Sequence, residues 1–192
     1  MFNSLFKIVY FVELVLITTV RSMGTAKFRR ATVQEDRSSA LDTGLLALNG
    51  VGMLIPILYV FSSWFDFADY SLPAWLSWIG AALFAAAAVL LWGTHQAMGR
   101  NWTPTLGLRE EHQLVTDGVF RYIRHPMYAA HILWALATPL ILTNWIAGFS
   151  MLVPQLAQYW LRVKAEEGMM LERFGEQYRQ YMERTGRLLP KF

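Results

Sequence analysis

Long apolar blocks separated by short polar loops organise this chain. Residues 4–21, 44–63, 74–98, 126–143 and 145–162 are mostly apolar over the roughly 20 residues that a helix needs to cross a bilayer. They are too long and too uniformly apolar for barrel strands. In lipid every backbone group must bond within its own helix or barrel, so all these segments are predicted to be helices. In the third, Ala81-Ala82-Leu83-Phe84-Ala85-Ala86-Ala87-Ala88 offers small side chains that let another helix approach closely. Only Thr143-Asn144 separates the last two segments, which predicts a tight antiparallel hairpin. Pro154 should kink the last one and free a carbonyl. After Lys164, the apolar residues Leu171, Phe174, Tyr178 and Tyr181 recur at helical spacing. The expected fold is therefore all-α: an integral membrane bundle of about five transmembrane helices with a cytosolic C-terminal helix. It forms a single membrane domain over residues 1–192, with three N-terminal helices in 1–97 and a loop, a helical hairpin and the tail in 98–192.

Charge sets the orientation. Lys27, Arg29, Arg30 and Arg37 follow the first segment, and Arg100, Arg109, Arg121 and Arg124 follow the third. Lys164, Arg173, Arg179, Arg184, Arg187 and Lys191 occupy the tail, whereas the loop after the second segment carries Asp66 and Asp69 without Lys or Arg. Basic loops mark the cytosolic side. The N-terminus is thus expected outside, with loop 98–125 and tail 164–192 together in the cytosol. Trp64, Trp75, Trp78, Trp102 and Trp145 stand near the segment ends, where an aromatic belt belongs. Arg21-Ser22-Met23 provides no small-residue cleavage site, so the first segment is read as a retained helix and not a secretory signal.

Composition narrows the chemistry. The chain of 192 residues is 55% hydrophobic and only 16% charged, and its net charge of +3 is accounted for by cytosolic loops. No basic helix or aromatic platform suggests nucleic acid. The absence of cysteine excludes disulfides, thiolate ligands and a cysteine nucleophile. Four histidines without a Glu-x-x-His pair suggest no metal site, and His95 and His131 are read as packing residues. There is no glycine-rich phosphate loop.

Three polar features remain. In Arg124-His125-Pro126-Met127-Tyr128, proline suits the first helical position, so a helix should start at Pro126 with its unpaired N–H groups beside His125. His125 and Tyr128 lie three apart and share a face, and a helix start of this kind suits a carboxylate. An interface cluster of arginine and tyrosine anchors would have the same spacing. The second feature is a stripe of Gln155, Gln158, Arg162 and Glu166 along the last segment. It implies either a pocket wall or a polar contact with another helix, and Arg162 could simply pair with Glu166. Glu167 points elsewhere. The third is Glu13 in mid-segment, expected to make a structural hydrogen bond to another helix.

The run Asp117-Gly118-Val119-Phe120-Arg121-Tyr122-Ile123-Arg124-His125-Pro126-Met127-Tyr128 resembles the isoprenylcysteine carboxyl methyltransferase family. So does the tail Glu166-Glu167-x-x-x-Leu171-x-x-Phe174-Gly175-x-x-Tyr178-x-x-Tyr181, closing with Leu188-Leu189-Pro190. The resemblance covers residues 95–192. The Arg-His-Pro-x-Tyr motif alone also occurs in phospholipid methyltransferases and sterol reductases, and its pairing with the double glutamate and Phe-Gly-x-x-Tyr is what gives specificity. The resemblance implies S-adenosyl-L-methionine touching His112, Gln113, Leu114, Val115, Phe120, His125, Pro126, Met127, Tyr128 and Glu166. Phe120 stands where that family often has tyrosine. The resemblance also assigns Arg162 to the carboxylate of a lipophilic acceptor, which would enter sideways from the bilayer lipids, with neither metal nor nucleic acid involved. Rival readings are a phospholipid or amine N-methyltransferase, an NADPH-dependent sterol-type reductase, and a non-catalytic scaffold or transporter.

Overall fold

The computed structural model describes residues 2–28, 33–36, 39–99, 107–109 and 113–191. Arg29, Arg30, Arg37, Arg100, Trp102 and His112, all used in the reading above, lie outside the described residues. The described helices are α1 (Phe2–Phe28), α2 (Ala40–Phe61), α3 (Ala74–Met98), α4 (Pro126–Leu142), α5 (Trp145–Phe149), α6 (Leu152–Phe174) and α7 (Glu176–Arg184). Two short strands, β1 (Val33–Asp36) and β2 (Gly107–Arg109), pair antiparallel, so the all-helical expectation gains a small ribbon. Among the described residues, α2 and α3 are long and apolar enough to cross a membrane, and α4 is a shorter apolar helix.

Apolar side chains face both inward and outward. Ile8, Val12, Leu16, Leu54, Val89, Trp92, Val153 and Trp160 are exposed. The interior instead packs alanine, glycine and aromatic rings: Ala81, Ala87, Ala88, Ala135 and Ala137 are buried. In the same core Phe84 lies edge-on to Tyr10 at 5.6 Å and tilted against Trp134 at 5.4 Å. With no hydrophobic drive between helices in lipid, close approach through small residues is what holds such a bundle together. Gly80 is the tightest example in the α3–α4 contact. A methyl group there would lie 2.7 Å from Leu140 Cβ and 2.9 Å from Ile141 Cγ1. Gly80→Ala should therefore destabilise the fold by roughly 1–3 kcal/mol through overpacking. By contrast Gly44→Ala in α2 meets nothing within 4 Å and should stabilise by about 0.4–1 kcal/mol. Thermal unfolding of the two variants in detergent should shift in opposite directions.

The α4–α5 hairpin turns on Thr143, left-handed at φ 48, and on Asn144, whose Oδ1 accepts from the Ile146 and Ala147 N–H groups. The fifth segment is not one helix. Pro154 has no N–H for the Ser150 carbonyl, and its ring would crowd that carbonyl in a continuous helix. The chain accordingly breaks between Phe149 and Leu152, and Pro154 falls in the first turn of α6, where a missing N–H costs nothing. The tail is not one new helix starting after Lys164 either: it holds the end of α6 and then a separate α7. No proline interrupts the sequence from Gln155 onward until Pro190, and α6 runs on to Phe174. It stops at Gly175 with φ 52, after which α7 begins.

Candidate active site

The start of α4 is anchored by the tail. The Arg124 N–H donates to the Gly186 carbonyl at 2.9 Å and the His125 N–H to the Arg187 carbonyl at 3.0 Å. Pro126 occupies the first helical turn, and His125 is the N-cap residue without a side-chain cap bond. Its ring is therefore free to turn toward α6. His125 Nε2 donates to Glu167 Oε1 at 3.2 Å, because a carboxylate only accepts. Nδ1 then faces Glu166 Oε2 at 3.7 Å.

The two adjacent glutamates of α6 have different tasks. Glu166 is partly exposed, receives the Tyr128 hydroxyl at 2.6 Å and lies 3.6 Å from Arg162 Nε. Glu167 is buried. Arg124 Nε donates to its Oε1 at 2.7 Å, and Arg187 grips both oxygens, Nε at 3.0 Å and Nη2 at 2.6 Å. Burial alone would push this carboxyl up, but the bonds from His125, Arg187 and Arg124 outweigh it and hold the pKa well below the usual carboxylate range. Glu167 thus clamps the start of α4, α6 and the tail together.

The stripe on α6 divides in two. At its deeper end Gln158 accepts from Asn49 Nδ2 of α2 at 2.9 Å, so this part is a helix contact. At its other end Arg162 is 5% exposed, and its Nε has no hydrogen-bond partner. That Nε sits in ion-pair range of Asp42 Oδ1 at 3.9 Å and of Glu166 Oε1 at 3.6 Å. Arg162, Glu166, His125 and Tyr128 therefore meet at one place, walled by the Tyr128 and Tyr159 rings at 5.6 Å.

The other expected site residues are more scattered. Pro126 is buried at the start of α4, and Met127 packs against the main core. Phe120 is buried, and its carbonyl accepts from the Tyr181 hydroxyl at 2.7 Å. Gln113 is exposed, with Leu114 and Val115 partly buried, in the stretch preceding that turn. Glu13 differs from expectation, because its buried Oε2 has no hydrogen-bond partner. His131 is a packing residue: Nδ1 donates to the Met127 carbonyl at 2.8 Å, leaving Nε2 to accept from Arg21 at 3.4 Å. The His95 ring fills the space beside Gly24, where a Cβ would lie 2.4 Å from its Nδ1.

Sequence reasoning missed three contributors. Glu167 points away from the polar stripe, and its own side of the helix collects Arg124, Arg187 and His125. Arg187 looked like one more tail cation. Asp42 belongs to Ser39-x-x-Asp42, which spells a capping box, a signal legible without coordinates.

Comparison with known proteins converges on one family. The model of the isoprenylcysteine carboxyl methyltransferase (ICMT) family matches residues 78–172. That stretch contains Arg124, His125, Tyr128, Arg162, Glu166 and Glu167. Protein-S-isoprenylcysteine O-methyltransferase B of Arabidopsis thaliana is 28% identical over 137 residues, 70% of each chain. The Schizosaccharomyces pombe protein-S-isoprenylcysteine O-methyltransferase is 32% identical over 81 residues, 42% of this chain and 34% of its own. The Homo sapiens enzyme of that name is 28% identical over 138 residues, 67% of this chain and 49% of its own. A solved structure of the eukaryotic intramembrane Ras methyltransferase ICMT superposes with a TM-score of 0.55 at 26% identity, over 80% of this chain and 53% of that one.

Proposed function

Since the chain belongs to the isoprenylcysteine carboxyl methyltransferase family, we propose that it is a membrane enzyme that transfers a methyl group from S-adenosyl-L-methionine to the carboxylate of a lipophilic acceptor. An isoprenylcysteine is the reference substrate. The observation that carries this reading is Arg162: a buried guanidinium with a bare Nε, beside Glu166, whose carboxylate takes the Tyr128 hydroxyl of α4. The site faces the cytosol, where the basic loops and tail lie, and the N-terminus is outside.

The residues present fit the cofactor. The first turn of α4 has N–H groups without helical partners and no side chain capping them, which suits its carboxylate. Glu166 offers negative charge to its amino group or sulfonium. Gln113, Leu114, Val115, Phe120, Pro126, Met127 and Tyr128 would border it. When bound it would supply a methyl group on a sulfonium: a C–O bond to the acceptor oxygen forms in line as the C–S bond breaks, and the neutral thioether S-adenosylhomocysteine leaves. A carboxylate acceptor is already ionised near neutral pH, its reference pKa being about 4, so the protein needs no general base. Its task is to orient the acceptor and keep water out, and orientation alone contributes roughly 7–11 kcal/mol. Arg162 does this with a planar fork that matches a carboxylate through two parallel hydrogen bonds. The same cation repels an ammonium acceptor, which disfavours amine N-methylation.

Purified protein given labelled methyl donor should label a prenylcysteine analogue as a base-labile ester. Base-stable label in phosphatidylethanolamine would assign it to nitrogen instead. The protein should also bind S-adenosylhomocysteine, and Glu166→Ala should weaken that binding by about tenfold or more, as expected for the loss of one charge-assisted contact. Unchanged calorimetric affinity would remove Glu166 from the site.

A further inference from the structure

Asp42 lies in the N-terminal half, outside the family motifs and outside the matched stretch, yet it reaches Arg162. Its two oxygens are used differently. Oδ2 accepts from the Ser39 N–H at 2.8 Å and from the Ser39 hydroxyl at 2.7 Å, while the Asp42 N–H donates back to that hydroxyl at 3.2 Å. This reciprocal cap fixes the carboxylate at the start of α2. Oδ1 lies 3.9 Å from Arg162 Nε, which is 3.6 Å from Glu166 Oε1. Both distances are ion-pair distances and neither is a hydrogen bond. The guanidinium is thus held between two carboxylates of different helices without giving that N–H to either.

We propose that Asp42 is a positioning residue for acceptor binding: its capped carboxylate balances the pull of Glu166 on Arg162 and keeps the guanidinium turned toward the acceptor. The inference rests on the carboxyl methyl transfer proposed above. Without Asp42 the carboxylate that remains beside Arg162 Nε is Glu166, one turn along the same helix, and Arg162 closes on it. The cap has a further link. Ser39 follows β1 by three residues, and β1 pairs with β2, Val33 opposite Arg109 and Asp36 opposite Gly107. β2 precedes Gln113–Val115 in the chain.

The test compares Asp42→Asn and Ser39→Ala with the full-length wild type. Asparagine still offers an oxygen to the Ser39 N–H, so the cap survives while the charge is lost. Asp42→Asn should raise the KM for a prenylcysteine carboxylate about tenfold, the size of one charge-assisted contact. S-adenosylhomocysteine affinity should stay within about twofold. Ser39→Ala keeps the charge and the backbone N–H bond to Oδ2 but removes both hydroxyl bonds, loosening the cap, and should raise the acceptor KM about two- to threefold. Asp42→Glu, with glutamate at the preferred third position of a capping box, should restore acceptor KM to near wild type. An unchanged acceptor KM in both Asp42→Asn and Ser39→Ala overturns the proposal. So does a joint loss of cofactor affinity, Tm and acceptor KM, which marks Asp42 as merely structural. A wild type that methylates no carboxylate removes the underlying reading, and this inference with it.

Discussion

Arg162→Leu should lower kcat/KM for the carboxylate acceptor by 10²–10³-fold, or about 3–4 kcal/mol of transition-state stabilisation. The size follows from the site's geometry. The side chain is 5% exposed, so its hydrogen bonds to a carboxylate form away from competing water. Its loss also leaves Asp42 and Glu166 facing each other with no cation between them, and an anionic acceptor then meets two like charges. Arg162→Lys separates these effects. Lysine restores the charge but not the planar fork. It should recover fold stability while remaining at least about tenfold impaired. Steady-state kinetics on both variants, with S-adenosylhomocysteine binding as the control for an intact cofactor side, measure the difference. A lysine variant with wild-type kcat/KM would make Arg162 a charge balance only.

The sequence foretold the parts of this site that lie within one element. Pro126 announced where α4 begins, because proline fits the first turn and little else in a helix. The spacing of Arg162 and Glu166 announced a shared face, because 3.6 residues per turn decides that without coordinates. The two-residue Thr143-Asn144 junction announced the hairpin. What stayed hidden depends on partners supplied by other elements. The stripe from Gln155 to Glu166 is consistent, as sequence, with a pocket wall and with a helix contact, and it is divided: Gln158 meets Asn49, whereas Arg162 faces Asp42 and Glu166. Glu167 looked peripheral because nothing along α6 reveals that Arg187, twenty residues later, folds back onto it. The break before Pro154 was foreseen as a kink. Whether a proline bends a helix or restarts it depends on what holds the freed carbonyls, and periodicity says nothing about that.

Glu167→Gln should cost about 3–5 kcal/mol of fold stability, the typical consequence of removing one partner from a buried ion pair. Glutamine keeps the shape and one acceptor oxygen, but Arg124, buried against Glu167, loses its anion, and Arg187 loses one of its two oxygens. The group's pH dependence provides a second, independent reading. Its folded-state pKa is depressed below the usual carboxylate range. Its stabilisation is therefore fully present above the unfolded-state value, about 4.3 for glutamate, and is lost as the pH falls through the folded-state value. Thermal unfolding in detergent should show wild-type Tm declining below about pH 4.5, with Glu167→Gln lower at neutral pH and flatter across the acid range. The two curves should converge toward low pH, because protonation does to the wild type what the substitution does at every pH. Parallel curves would show that other carboxylates dominate acid unfolding. Because His125 then bonds a neutral amide oxygen in place of a carboxylate, the variant should bind S-adenosylhomocysteine more weakly even at temperatures where it remains folded. On the proposed reading, the clamp that holds α4, α6 and the tail together also sets the direction of the first turn of α4 toward the cofactor.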